Sequence, residues 1–161
     1  MTATRWLSPE EREAWLALVS IMFTLPGSIE AQLQAEADLS LAEYLVLAML
    51  SEAPDRRRRM SELATVTNTS QSRLSRIVGR LERDGLVVRT GDAKDKRVVL
   101  AEITDRGLGK VEEVAPGHVE HVRRTVIDRL TPEQVRQLAL IGRVVDDAAD
   151  VSVLGAVGTT D

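Results

Sequence analysis

Between Met60 and Gly107 the chain reads as two short helices, a tight turn between them, and a β-hairpin behind. Few folds accommodate that order. Ser61 to Thr67 reads as a short helix and Asn68-Thr69 as a turn. Residues 70–84 read as a second helix, stopped by Gly85, because glycine readily takes the left-handed conformation that ends a helix. Leu86–Thr90 and Arg97–Ile103 are rich in Val, Leu and Ile and read as strands. The polar stretch Gly91-Asp92-Ala93-Lys94-Asp95-Lys96 lies between them. Together these make a helix-turn-helix with a two-stranded wing.

Charge is concentrated in the same region. Residues 56–97 hold twelve Lys/Arg against five acids, a balance of +7 in a chain whose net charge is −4, so the remainder carries −11. This polarisation fits a polyanion bound at one part of an otherwise acidic, soluble chain. The length of 161 residues suggests one binding unit with an intimate accessory part. Hydrophobic residues make up 43%, enough for a core, and the few aromatic residues leave that core aliphatic. Scarce rings also argue against stacking on single-stranded nucleic acid. With no cysteine there can be no disulfide, thiolate metal site or thiol redox sensor. No apolar run reaches membrane-span length on this reading, and the acidic, proline-containing N-terminus is unlike a signal peptide. A cytoplasmic protein without membrane partners is expected.

The helix starts are easy to read. Ser8-Pro9-Glu10-Glu11 sets a cap, a first-turn proline and a capping-box acid in order; Ser40-Leu41-Ala42-Glu43 repeats the box, and Thr131-Pro132-Glu133 opens a last helix. The first helix is expected over 9–36 with a kink or break near Pro26-Gly27, since proline removes a donor and clashes with the preceding turn. The second is expected over 41–52, with Tyr44, Leu45, Leu47, Ala48 and Leu50 on its apolar side. Pro54-Asp55 is a turn, and Arg56–Met60 a short strand. A fifth helix over 105–128 should be disturbed at Pro116-Gly117, and a sixth covers 132–150. The organisation is a dimerisation helix in 1–38, a winged lobe in 39–104, C-terminal dimerisation helices in 105–150 and a tail in 151–161.

At 100° per residue, Ile77, Val78 and Leu81 fall within about 60° of Leu74 and form a buried stripe. Ser72, Arg76, Gly79 and Arg83 lie opposite, flanked by Arg73 and Arg80. A helix entering the major groove needs that division: guanidinium forks for guanine edges or phosphate, small polar groups for adaptable hydrogen bonds, and little bulk. The helix N-terminus adds amide donors for phosphate. A solvated basic face is the plainer account of such a surface, and the neighbouring elements favour the groove. In the wing, Asp95 can orient the guanidinium of Arg97, and a basic loop can reach a narrow minor groove. A polar hairpin turn alone would look much the same.

These residues carry a resemblance. Leu63-Ala64, Ser70-Gln71-Ser72-Arg73-Leu74-Ser75-Arg76, Arg80-Leu81-Glu82-Arg83-Asp84-Gly85-Leu86-Val87, Asp95-Lys96-Arg97 and Leu100 to Ile103-Thr104-Asp105-Arg106-Gly107 closely resemble the MarR family of winged-helix transcriptional regulators. Ile103 stands where the family has leucine. The resemblance implies a mainly helical fold with a small β-wing, and a homodimer whose two lobes bind a pseudo-palindromic double-stranded DNA. It places Ser70, Gln71, Ser72, Arg73 and Arg76 at the major groove and Arg97 in the minor groove with Asp95 in support. Arg80 and Lys96 complete the basic DNA-facing set. Many members of that family release DNA when a phenolic or other small anion binds between the dimer and DNA-binding parts, so a small-molecule effector is implied. Others use cysteine, a route closed here. Pro26-Gly27 in the first helix and Gly79 in the fourth depart from the family pattern. Gly79 should cost roughly 1 kcal/mol in helix propensity.

Other constellations point to less. His118 and His121 could share a helix face, but a metal site needs three or four converging ligands, and neither a metal nor a cofactor is expected. Trp15, Leu18, Val19 and Met22 form one apolar stripe, and Val135, Leu138, Ile141 and Val145 another. Both suit a dimer core better than a ligand cage. Arg56–Arg59 suggests a phosphate clamp or a solvated strand edge. No nucleophile set, phosphate loop or catalytic carboxylate pair is present, so an enzyme is not expected. The rival assignment keeps the fold and makes it an interaction module binding RNA or protein through the same basic face.

Overall fold

The computed structural model describes residues 4–92 and 97–148. The tail 151–161 and the wing residues Asp95 and Lys96 lie outside the described residues. The described elements run α1 (Pro9–Ala37), α2 (Leu41–Ser51), β1 (Arg57–Arg59), α3 (Met60–Val66), α4 (Gln71–Arg83), β2 (Val87–Gly91), β3 (Val99–Ile103), α5 (Asp105–Thr125) and α6 (Pro132–Ala148). Single turns of 3-10 helix follow α2 and α5. The fold is mainly α with a small β-wing, as read from the sequence.

The expected capping boxes form. Ser8 and Glu11 close the start of α1, and Ser40 and Glu43 that of α2. Both helices of the helix-turn-helix end in paired backbone closures. Thr69 N–H reaches the Ala64 carbonyl at 2.9 Å and Asn68 N–H that of Thr65 at 3.0 Å, with Asn68 at φ 45°. Leu86 N–H likewise reaches Leu81, and Gly85 N–H reaches Glu82, with Gly85 at φ 71°. Each is a Schellman closure that satisfies carbonyls orphaned by the helix end. Asn and Gly occupy the left-handed positions because they tolerate them.

The expected strand at Arg56–Met60 is β1, the third strand of an antiparallel sheet ordered β1-β3-β2. Arg57 pairs with Glu102 and Arg59 with Leu100, while Val87 pairs with Ile103 and Gly91 with Val99. The core lies where α2, α3, α4 and the base of the sheet meet, around Leu47, Leu50, Leu63, Leu74, Leu81 and Val87, all fully buried. In α2, Val46 and Met49 are buried, while Leu45 and Ala48, placed on its apolar side by spacing, are only half-buried. Because α2 packs against α1, α4, α5 and β3 together, no single stripe describes it.

No break occurs at either proline. Helix α1 runs unbroken for 29 residues through Pro26, and α5 for 21 residues through Pro116. A proline removes one hydrogen bond and crowds the preceding turn, without ending the helix outright. Both prolines are exposed, so water can serve the carbonyl each leaves open. Gly117 does not break the helix either. A Cβ there would stand 2.5 Å from Glu36 Oε2, the flexible end of an exposed side chain on α1 that can turn aside.

Helix α1 corrects a second expectation. By length and composition it is long and apolar enough to cross a membrane. Ser20, Thr24, Pro26, Gly27 and Ser28 interrupt the apolar run without adding charge, which hid its extent. The helix is tied into the protein: Leu41 N–H donates to Glu30 Oε2 at 2.6 Å, and Ser28 Oγ lies 3.0 Å from His121 Nε2.

Candidate nucleic-acid interface

Helix α4 divides as its spacing predicts. Leu74, Val78 and Leu81 are fully buried and Ile77 half-buried. Ser70, Gln71, Ser72, Arg73, Arg76 and Arg83 are exposed. Ser70 is the N-cap, its Oγ accepting from Arg73 N–H at 3.3 Å and lying 3.2 Å from Ser72 Oγ. The cap leaves other first-turn amides facing outward, where they can serve an anion. Among the described residues, no acid forms an ion pair with Arg73, Arg76 or Arg83, while most other arginines in this basic region are matched. Arg56 lies 3.3 Å from Asp105, Arg57 3.6 Å from Asp55 and Arg59 3.8 Å from Glu62. With three of its four guanidinium groups engaged inside the chain, the Arg56–Arg59 run loses support as a clamp. Three cations without internal acids thus share the outward face of α4.

The wing is fixed to this helix at its base. Arg89 donates from Nε and Nη2 to Glu82 Oε2 at 3.0 and 2.6 Å, and its backbone N–H donates to Glu82 Oε1 at 3.1 Å. The Arg89 side chain and then its backbone N–H hold the Glu82 carboxyl below the usual carboxylate range. The Arg89 guanidinium passes beside Gly79, 3.6 Å from where a Cβ would stand. The glycine on the expected groove face therefore borders the wing as well. Arg97 is exposed at the point where the chain returns toward β3.

Arg80, grouped with the DNA-facing set by spacing, is exposed on α4 and also meets two acids at the junction of α1 and α2. Its Nε is 3.3 Å from Glu43 Oε1 and its Nη2 3.9 Å from Asp38 Oδ2. Glu43 is buried, which its place in a capping box did not reveal.

The proposed dimer stripes are open. Trp15 is 51% exposed, Met22 56% and Ile141 58%, with Leu18 and Leu138 also exposed and Val19 and Val135 half-buried. Sequence reasoning did not single out Phe23, 81% exposed, or Val144, 63% exposed, which extend the same apolar surfaces.

At the junction of α1, α2 and α5, the His118 ring packs on Tyr44 with centroids 4.6 Å apart. Its buried Nδ1 has no hydrogen-bond partner. Burial first, and the nearby His121 second, push the His118 imidazole below its usual range. The unfolded chain, titrating at about 6.5, therefore takes up this proton before the folded one does. Stability is fully present above that pH and is lost as pH falls through the lower folded value. Urea midpoints should drop between pH 7.5 and 5.5, and His118→Gln should flatten that drop. An unchanged slope would remove His118 from the account. Among the described residues, no three groups of metal-ligating type converge.

Comparison with known proteins gives this architecture its relatives. A sequence model described as MarR family matches residues 37–98. Sco3205, a MarR family transcriptional regulator from Streptomyces coelicolor solved in complex with DNA, is 41% identical, with 91% of each chain covered and a TM-score of 0.86. The HTH-type transcriptional repressor MdtR of Bacillus subtilis is 33% identical over 68% of each chain. The HTH-type transcriptional repressor YetL of the same organism is 32% identical over 52% of this chain, and the match spans half of YetL's own length. The 41% identity to Sco3205 extends over 91% of each chain, and on that ground this chain belongs to the MarR family.

Proposed function

We propose that the chain is a cytoplasmic, homodimeric transcriptional repressor that binds a pseudo-palindromic DNA duplex. The observation that carries this is the outward face of α4, where Arg73, Arg76 and Arg83 stand without internal acids beside Ser70, Gln71 and Ser72. The DNA complex of Sco3205 and the repressor names of MdtR and YetL support the same reading. In this proposal, residues 39–104 form the DNA-binding lobe. Residues 1–38 and 105–150 form the dimer, whose second copy, rather than lipid, covers the apolar length of α1. Arg97 enters the minor groove with Asp95 in support, and Lys96 adds to the DNA-binding set. A small-molecule effector would release the DNA.

Selection of bound duplexes from a random pool tests the proposal directly. An inverted repeat should emerge, preferred over scrambled DNA and over RNA, with affinity that falls as salt rises. Binding of RNA or protein in preference to any duplex would favour an interaction module instead. Candidate effectors can then compete against the selected site. Arg76, at the centre of the exposed face, gives the sharper residue test. Arg76→Ala should cost about 1–3 kcal/mol and relax preference at one position in each half-site. Equal losses on selected and random DNA would make it a phosphate contact.

A further inference from the structure

Arg80 lies one turn beyond Arg76, and its spacing puts it beside the nucleic-acid face. Its guanidinium turns toward the corner where α1 ends and α2 begins. There its Nε lies 3.3 Å from Glu43 Oε1 and its Nη2 3.9 Å from Asp38 Oδ2. The Glu43 side chain is only 5% exposed. Its other oxygen accepts from Ser40 N–H at 2.8 Å and from Ser40 Oγ–H at 2.9 Å. Asp38 is the left-handed C-cap of α1, with its N–H on the Leu33 carbonyl. One guanidinium thus joins the end of one helix, the start of the next and the recognition helix.

We propose that Arg80 is a positioning residue that sets the tilt of α4 against α1, and that it does not contact DNA. A nearly buried carboxylate needs its countercharge, and removing one partner of such a pair is far more damaging than removing both. Glu43 is therefore committed to Arg80, and Arg80 is held away from phosphate. Helix α1 also carries the apolar stripe assigned above to the dimer. The brace would thus relate each recognition helix to the two-fold axis and define the spacing of half-sites that the dimer accepts.

This inference rests on the DNA-binding reading, and its test separates the two. Full-length protein with Arg80→Met, with Glu43→Gln and with both changes is measured on the selected palindrome and on versions with half-sites moved by one base pair. Arg80→Met should weaken binding about tenfold, less than a fully buried pair would lose because the Arg80 side chain is 46% exposed. It should also soften the penalty for altered spacing and leave the slope of log affinity against log salt unchanged. Glu43→Gln should reproduce this phenotype, although Glu43 is too buried to touch DNA. The double replacement should be no worse than either single one. A salt slope lowered by about one in Arg80→Met would make Arg80 a phosphate ligand and overturn the brace. Normal affinity and spacing in Glu43→Gln would overturn it as well. If the unaltered protein shows no preference for any palindrome, the DNA reading fails. The brace is then decided by unfolding, where non-additive losses in the three variants support it and strictly additive losses refute it.

Discussion

Gly107→Ala is expected to destabilise the chain by roughly 2–4 kcal/mol, although alanine is the better helix former by about 1 kcal/mol. Gly107 lies in the first turn of α5, its N–H donating to Thr104 Oγ1 at 3.0 Å. A Cβ at this position would stand 2.2 Å from the Leu86 carbonyl oxygen and 2.6 Å from Ile103 Cγ1. The obstacle is backbone, and that backbone is committed. The Leu86 carbonyl accepts from Thr104 N–H at 3.0 Å and from Thr104 Oγ1 at 3.2 Å, and Leu86 N–H closes the end of α4. Making room means giving up either the start of α5 or the joint between recognition helix and wing. Urea unfolding measures the loss, and binding to the selected duplex should weaken in parallel. Stability within about 0.5 kcal/mol of the unaltered chain would show that the joint yields easily, contrary to this packing.

Truncation before Thr131 should abolish both dimerisation and preference for a palindrome. Helix α6 and the N-terminal part of α1 carry apolar faces outside the core, which joins α2, α3, α4 and the sheet to Leu33 near the end of α1 and Val114 of α5. Exposed Trp15, Met22, Phe23, Leu138, Ile141 and Val144 form more apolar surface than a soluble monomer usually leaves to water. A two-fold partner would cover them and set two recognition helices about 34–36 Å apart, one turn of DNA. Sedimentation at micromolar concentration should find the intact chain as a dimer. The shortened chain should be a monomer or an insoluble product, with no advantage for a full site over a half-site. A well-folded monomer of the intact chain that bound a half-site as tightly as a palindrome would end this reading.

Features governed by local chemistry were legible in the sequence. Ser8 and Ser40 cap where their side chains predict, and Asn68 and Gly85 turn where left-handed backbone is needed. The stripe from Leu74 to Leu81 is buried because a period of 3.6 residues fixes which side chains share a face. Features that depend on a neighbour were not legible. Angles around α4 placed Arg80 beside Arg76 but could not show Glu43 opposite it, because a helical wheel contains only one helix. Pro26 and Pro116 suggested breaks because local rules count the lost hydrogen bond and leave out the packing that keeps a long helix together. Gly117 was read as a disturbance for the same reason, yet α5 continues through it.

Helix α6 has a further consequence. It is 17 residues long, and from Thr131 to Asp146 every residue but the half-buried Val135 is exposed. Most of a helix's stability in a protein comes from packing of its apolar face rather than from intrinsic propensity. With a second copy as its support, the last step of folding becomes a collision between two chains rather than an event within one. Concentration would then act as a folding variable alongside temperature and pH. The amount of protein made would determine how much finished regulator exists, rising with the square of the chain concentration at low abundance, and each operator would be governed by a switch with its own built-in threshold.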